Sequence, residues 1–303
     1  MESTLDQVHI NFDAASLHTL NIALALVMFG IALEIKWSDF RQISQKPQWV
    51  LVGVLSQFLV LPAITFVLVW AVKPMPGLAL GMMLVAACPG GNVSNFMTHL
   101  ARGNSALSVT LTAIATMCAV FMTPLNLRFW AGMYPPAAEI LEKVAIDPLE
   151  MARLVALLLA VPLIFGMLFN HWFPALSKRL SSFFKIGSLL FFAVLVVLAL
   201  AKNWGIFLEY IHYVLFLVLL HNALAFGNGY GLARLFGLKR KETKTITLET
   251  GIQNSGLGLL LIFLFFDGLG SMALITAFWG IWHLISGTGL ALLWSRAKED
   301  SGL

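Results

Sequence analysis

The sequence predicts an all-α, polytopic membrane protein of about nine transmembrane helices. Three observations carry that prediction: a composition too apolar for a soluble domain, apolar runs of bilayer length, and basic residues that alternate from side to side. The 303 residues are 59% hydrophobic and 11% charged, with a mean hydropathy of +0.86. A soluble domain carries about 25% charged residues. Long continuous runs, rather than strict alternation, point to helices and not to a barrel. The net charge of +4 need not mean a nucleic-acid partner, because the placement of Lys and Arg fits membrane orientation better. Cys88 and Cys118 both sit in apolar stretches and make no disulfide framework.

The elements follow in order. Residues 1–15 read as a polar N-terminal segment with Glu2, Asp6 and Asp13, without the basic start of a signal peptide. Nine spans then fall at about 16–35, 48–72, 76–98, 105–126, 151–170, 184–203, 208–235, 243–266 and 271–294. Each is near or above the roughly 20 residues that cross a bilayer. The longest connection, about 127–150, is acidic and contains Pro135, Pro136 and Pro148. It reads as a divider between two halves.

Lys and Arg set the orientation. With the N-terminus outside, 14 of the 19 basic residues fall on cytoplasmic connections, among them Lys36, Arg41, Arg102, Lys178, Arg179, Arg240 and Arg296. Lys73, Arg128, Lys143, Arg153 and Lys202 remain outside. An odd number of spans then puts the C-terminus in the cytoplasm.

Two spans are interrupted. In the first half, "CPGGNVSN" (Cys88–Asn95) comes about 40 residues after a span begins near 48; in the second, "LETGIQNSGLG" (Leu248–Gly258) comes about 40 residues after one begins near 208. The two segments enter the bilayer from opposite sides. Paired interrupted segments in an inverted repeat point to the binding site of a secondary transporter. A broken helix frees carbonyl oxygens at one end and N–H groups at the other. Hard cations take oxygens, and an organic anion takes the positive helix starts.

Glu249 is the most informative residue, six positions into its apolar span. A carboxylate at membrane depth is costly unless paired, solvated, protonated or bound to a cation. Two readings stand: a group held inside the protein, or one high enough to meet cytoplasmic water near Lys244. Ser108 and Thr112, four apart, share a helix face, though such hydroxyls also bond back to their own helix. Gln57 lies in mid-span. "NVS" at Asn92–Ser94 falls inside a span and is discounted as a glycosylation signal. "GNGYG" at Gly227–Gly231 follows no strand and reads as helix packing. His99, His221 and His283 lack metal-ligand spacing, and no hydrolase or nucleotide motif is present.

At "CPGGNVSN", "ARGNSALSVTLT" and "ETGIQNSG" the chain resembles the bile acid:sodium symporter family, from "LALVMFGIALEI" to "WHLISG". The resemblance implies a core domain with two crossing broken helices (48–126 and 208–294) and a panel domain (16–35 and 151–203) that move relative to each other. It implies two sodium sites: one of Ser94, Asn95, Ser108, Thr112 and Glu249; one of Gln57, Glu249 and Gln253 with the carbonyls of Thr250 and Ile252. It places substrate near Asn92, Asn254 and His283. Some bacterial relatives have ten helices, and this chain resembles the nine-helix form.

The function expected is sodium-coupled uptake of an organic anion, such as a bile acid-like or pantothenate-like carboxylate, by alternating access in a cell inner membrane. The alternative is a proton-coupled carrier or antiporter with Glu249 as the proton site. An enzyme would need a nucleophile or metal cluster that the sequence does not offer. Cargo and oligomeric state stay open at this point.

Overall fold

A computed structural model of the chain describes residues 46–91, 93–144, 147–181 and 204–296, together with positions 6, 22, 25–30, 32–35, 41, 183, 184, 187 and 190. The N-terminal segment (Asp6 apart), much of the span at 16–35, most of the span at 184–203, and Asn92 lie outside the described residues. Among those described the secondary structure is helical, with a single bridge between Gly90 and Gln253 as the only sheet-like pairing.

Helix α1 spans Pro47–Val72 and opens on a proline, where a missing N–H is harmless. It widens into one π turn at Ser56–Val60. Pro62, just beyond, supplies the cause: it has no N–H to donate to the preceding turn, and its ring crowds the carbonyl four residues back. The chain responds by pairing Leu61 N–H with Ser56 O, five residues away. Helix α2 (Pro76–Ala87) stops at Cys88 because Pro89 follows; the residue before a proline avoids the helical region, and Cys88 is extended at φ −71, ψ 156. Helix α3 (Val93–Leu100) resumes beyond the two glycines. Helix α4 (Ser105–Gly132) is capped by Asn104, whose Oδ1 accepts from Leu107 N–H at 3.1 Å.

The stretch at 127–150, read from the sequence as a connection, is mostly helical. Helix α4 continues to Gly132, and α5 runs from Pro135 to Val144. Prolines at 135 and 148 begin helices there instead of breaking them. Ala137 is buried while Glu139 and Glu142 stay outside, so α5 lies on the core by one face. Helix α6 (Pro148–Trp172) carries a second π turn at Ala156–Ala160, again followed two residues on by a proline, Pro162.

Helices α7 (Trp204–Leu235) and α8 (Arg240–Gly251) pack along one another. Helices α9 (Ser255–Phe265) and α10 (Gly270–Arg296) complete the described chain. By length and composition, α1, α4, α6, residues 211–235 of α7, and α10 can each cross a membrane. They carry large apolar side chains outward: Val67, Trp70, Phe121, Leu125, Leu157 and Phe165 are each more than half exposed. Such a surface is unfavourable in water and suited to lipid.

The short helices sit inside. Residues Gly77–Ala87 of α2 and Gly256–Phe263 of α9 are buried. Helix α8 is polar in sequence yet buried from Glu242 to Gly251. Its interior position is satisfied bond by bond: Thr245 and Thr247 donate to their own helix carbonyls, and Asn104 Nδ2 donates to Glu242 at 3.1 Å. Lys244 donates to Ala101 O at 2.7 Å and Trp294 O at 3.3 Å, so it ties together the ends of α3 and α10. Residues 25–30 and 32–35 lie against α6, where Phe29 meets Phe169 edge-on and Asn170 Nδ2 donates to Ile35 O at 2.8 Å.

Candidate functional site

The two interruptions meet. Gly91 N–H donates to Ile252 O at 2.7 Å, and Asn254 N–H donates to Pro89 O at 2.9 Å. Gly90 and Gly91 are required by closeness. A Cβ on Gly91 would lie 2.9 Å from Gln253 O, and one on Gly90 would lie 2.9 Å from Gln57 Nε2 and 3.2 Å from Glu249 Oε2. At this junction two helices end (α2 and α8) and two begin (α3 and α9). Carbonyl-rich and N–H-rich ends therefore share one place.

The terminal carbonyls are capped by neighbours. Thr123 Oγ1 on α4 donates to Ala87 O, the last residue of α2, at 2.7 Å. Asn222 Nδ2 on α7 donates to Gly251 O, the last residue of α8, at 2.8 Å, and Ser286 Oγ on α10 donates to Asn222 Oδ1 at 2.7 Å. Neither Thr123 nor Asn222 stands out in the sequence, because a lone Thr or Asn in an apolar helix carries no spacing signal.

Glu249 is 2% exposed. Its Oε1 accepts from Ser94 Oγ and Ser108 Oγ, both at 2.5 Å, and its Oε2 accepts from Thr112 Oγ1 at 3.0 Å. Asn95 Oδ1 accepts from the same two hydroxyls of α4, at 2.8 Å from Ser108 and 3.2 Å from Thr112. Five residues picked from the sequence thus converge from α3, α4 and α8. Thr98, one turn beyond Ser94, joins them at 3.2 Å from Ser108 Oγ and was not foreseen. Among the described residues no Lys or Arg reaches the carboxylate. Burial and the carbonyl partners of Lys244 remove the reading in which Glu249 looks out to water beside that lysine.

A second group lies near Glu249, since a Cβ on Gly90 would approach both Gln57 Nε2 and Glu249 Oε2. Gln57, in the π turn of α1, is 3% exposed and its Nε2 has no partner among the described residues; a half-turn of that amide presents Oε1 in the same place. Gln253 Nε2 donates to Thr250 O at 2.7 Å, which leaves Gln253 Oε1 buried and without a partner among the described residues. The carbonyls of Thr250 and Ile252 each accept one hydrogen bond and keep a second lone pair. Ser56 Oγ and Thr250 Oγ1 lie 2.8 Å apart, tying α1 to α8.

The residues expected near substrate are less gathered. Asn92 is outside the described residues. Asn254 uses its Oδ1 to cap α9, accepting from Leu257 N–H at 3.0 Å. His283 lies one turn before Gly287, whose Cβ would sit 3.0 Å from Ile252 Cδ1; the Nδ1 of His283 is buried without a partner among the described residues. Among the described residues no group of three His, Cys, Asp or Glu could hold a transition metal. A single carboxylate among hydroxyls, amides and carbonyls is a donor set for a hard monovalent cation.

The chain's resemblance to known proteins agrees with this chemistry. The sodium bile acid symporter family matches residues 21–210. The sodium-dependent transporter YocS of Bacillus subtilis (strain 168), itself uncharacterized, is 32% identical over 285 residues, 93% of this chain and 85% of that protein. The ileal sodium/bile acid cotransporter of Homo sapiens is 31% identical over 242 residues, 78% of this chain and 67% of that one. The probable chloroplastic sodium/metabolite cotransporter BASS2 of Oryza sativa subsp. japonica is 29% identical over 273 residues, 90% of this chain; the chain spans 63% of that protein's length. These relatives are transporters rather than enzymes. The chain belongs to the sodium bile acid symporter family.

Proposed function

We propose that this protein is a sodium-coupled symporter for a small organic anion. The observation that carries the reading is Glu249: a buried carboxylate, held by three hydroxyls where two broken helices join, with no Lys or Arg bonded to it among the described residues. A cation fits such a place. In the first site it would be held by Ser94, Asn95, Ser108, Thr112 and Glu249. In the second it would be held by Gln57, Glu249 and Gln253, with the carbonyls of Thr250 and Ile252. The unpartnered Gln253 Oε1 supports the second set, because a buried acceptor without a donor wants a cation or water.

Sodium binding would neutralise Glu249 and fix the junction. The anion would then sit at the starts of α3 and α9, near Asn92, Asn254 and His283. The unpartnered Nδ1 of His283 supports its inclusion. Nine spans, the N-terminus outside and the C-terminus in the cytoplasm complete the reading, in a cell inner membrane. The core (48–126 and 208–294) would move against the panel (16–35 and 151–203). Two sodium ions with one monovalent anion carry one net positive charge, worth about 2.3 kcal/mol per 100 mV.

A thermal-shift screen of organic acids, with sodium chloride or choline chloride, finds the cargo. Uptake of that acid into proteoliposomes then separates the couplings. A sodium gradient drives accumulation on this reading. Accumulation driven by a pH gradient alone, indifferent to sodium, would replace it with proton coupling at Glu249.

A further inference from the structure

Two π turns in the chain share one cause and differ in their surroundings. Each precedes a proline by two residues, Pro62 after Ser56–Val60 and Pro162 after Ala156–Ala160. Among the described residues no side chain donates to a carbonyl of Ala156–Ala160. The first turn is held on both sides of Gln57. Asn228 Nδ2, from α7, donates to Ser56 O at 2.8 Å. Asn126 Nδ2, from α4, donates to Phe58 O at 3.0 Å. In a regular helix Phe58 O would receive the N–H of residue 62, which is a proline, so Asn126 replaces the missing donor. The amide of Asn126 is itself oriented, since its Oδ1 accepts from Trp130 Nε1 at 3.1 Å. Asn126 and Asn228 are each 8% exposed. Wide turns of this kind recur at functional sites because they re-aim a side chain.

We infer that Asn126 and Asn228 are positioning residues for sodium: by gripping the carbonyls before and after Gln57, they hold its amide at the junction beside Glu249. The inference rests on the sodium reading of the second site. A turn created only by Pro62 would be free to shift along the helix. Two amides from different helices fix both its place and its rotation. Asn126 belongs to the helix that also carries Ser108 and Thr112, so the two groups around Glu249 share one support.

The test uses purified full-length protein and sodium alone, titrated against choline chloride and read by tryptophan fluorescence and thermal stability. The variants are Asn126→Ala and Asn228→Ala, each also as Leu, which fills the space without a donor. The reference is Asn170→Ala, which removes an equally buried amide that binds Ile35 O away from the junction. The expected result is a rise of about tenfold or more in half-saturating sodium for the Asn126 and Asn228 variants, as for other groups that orient metal ligands. Neither change should add to Gln57→Ala in the double variant. Asn170→Ala should lose stability with unchanged sodium response. Variants of 126 and 228 that only lose stability, as Asn170→Ala does, would overturn the inference and leave the sodium site standing. So would failure of both forms of both residues to fold while Asn170→Ala folds. No sodium response in the unaltered protein would overturn the sodium reading itself, and the inference with it.

Discussion

Ser108 and Thr112 show how much a single oxygen is asked to do. Each has one hydrogen and two acceptors within hydrogen-bond distance, Glu249 and Asn95. A hydroxyl that turns its hydrogen away presents a lone pair instead, so the same atoms serve a bare carboxylate or a cation. Thr112→Val keeps the shape and removes the oxygen. It should raise half-saturating sodium about tenfold while leaving the fold intact, as read by sodium titration and circular dichroism. Thr123 acts differently, because it caps the last carbonyl of α2. Thr123→Val should cost about 1–3 kcal/mol by leaving that carbonyl unsatisfied, measured as a lowered melting temperature. At this scale the sequence was informative where a residue type was out of place. Glu249 in an apolar run, and Gln57 in mid-span, signalled themselves. Thr98, Thr123, Asn126, Asn222 and Asn228 did not, since their partners are backbone oxygens or hydroxyls that only the folded chain brings near.

The elements turn on prolines. Pro89 ends α2, Pro62 and Pro162 widen α1 and α6, and Pro135 and Pro148 start helices. The interrupted segments were legible from "CPGGNVSN" and "ETGIQNSG" because prolines, glycines and amides cluster there. The helix across 135–144 was not, because Pro and acidic residues read equally as a loop or as a helix start. Pro62→Ala returns an N–H to α1. That N–H would displace Asn126 from Phe58 O, so the turn should relax toward a regular helix, rotate Gln57 off the junction, and weaken sodium binding. Unaltered sodium affinity in that variant would separate the turn from the site. Gly91→Ala makes the opposite test. Its Cβ would press on Gln253 O at 2.9 Å, so it should cost about 1–3 kcal/mol of stability, as overpacked sites do.

As a whole the molecule is inside out relative to a soluble protein. Among the described residues many large apolar side chains face outward around an apolar core, and the most polar helix, α8, is buried. Composition made the membrane class legible, and bilayer-length runs located the long helices. How the polar breaks close on each other was not legible, because a contact between residues 90 and 253 leaves no trace in local pattern. If two sodium ions accompany a monovalent anion, an inside-negative potential should speed uptake into proteoliposomes, and collapsing it with a potassium ionophore should slow it. Sodium binding at Glu249 is measured by equilibrium binding of radioactive sodium to the purified protein and to Glu249→Gln. Saturable binding is expected in the first and its loss in the second, with the variant still folded. Equal binding by both would contradict a sodium site at Glu249.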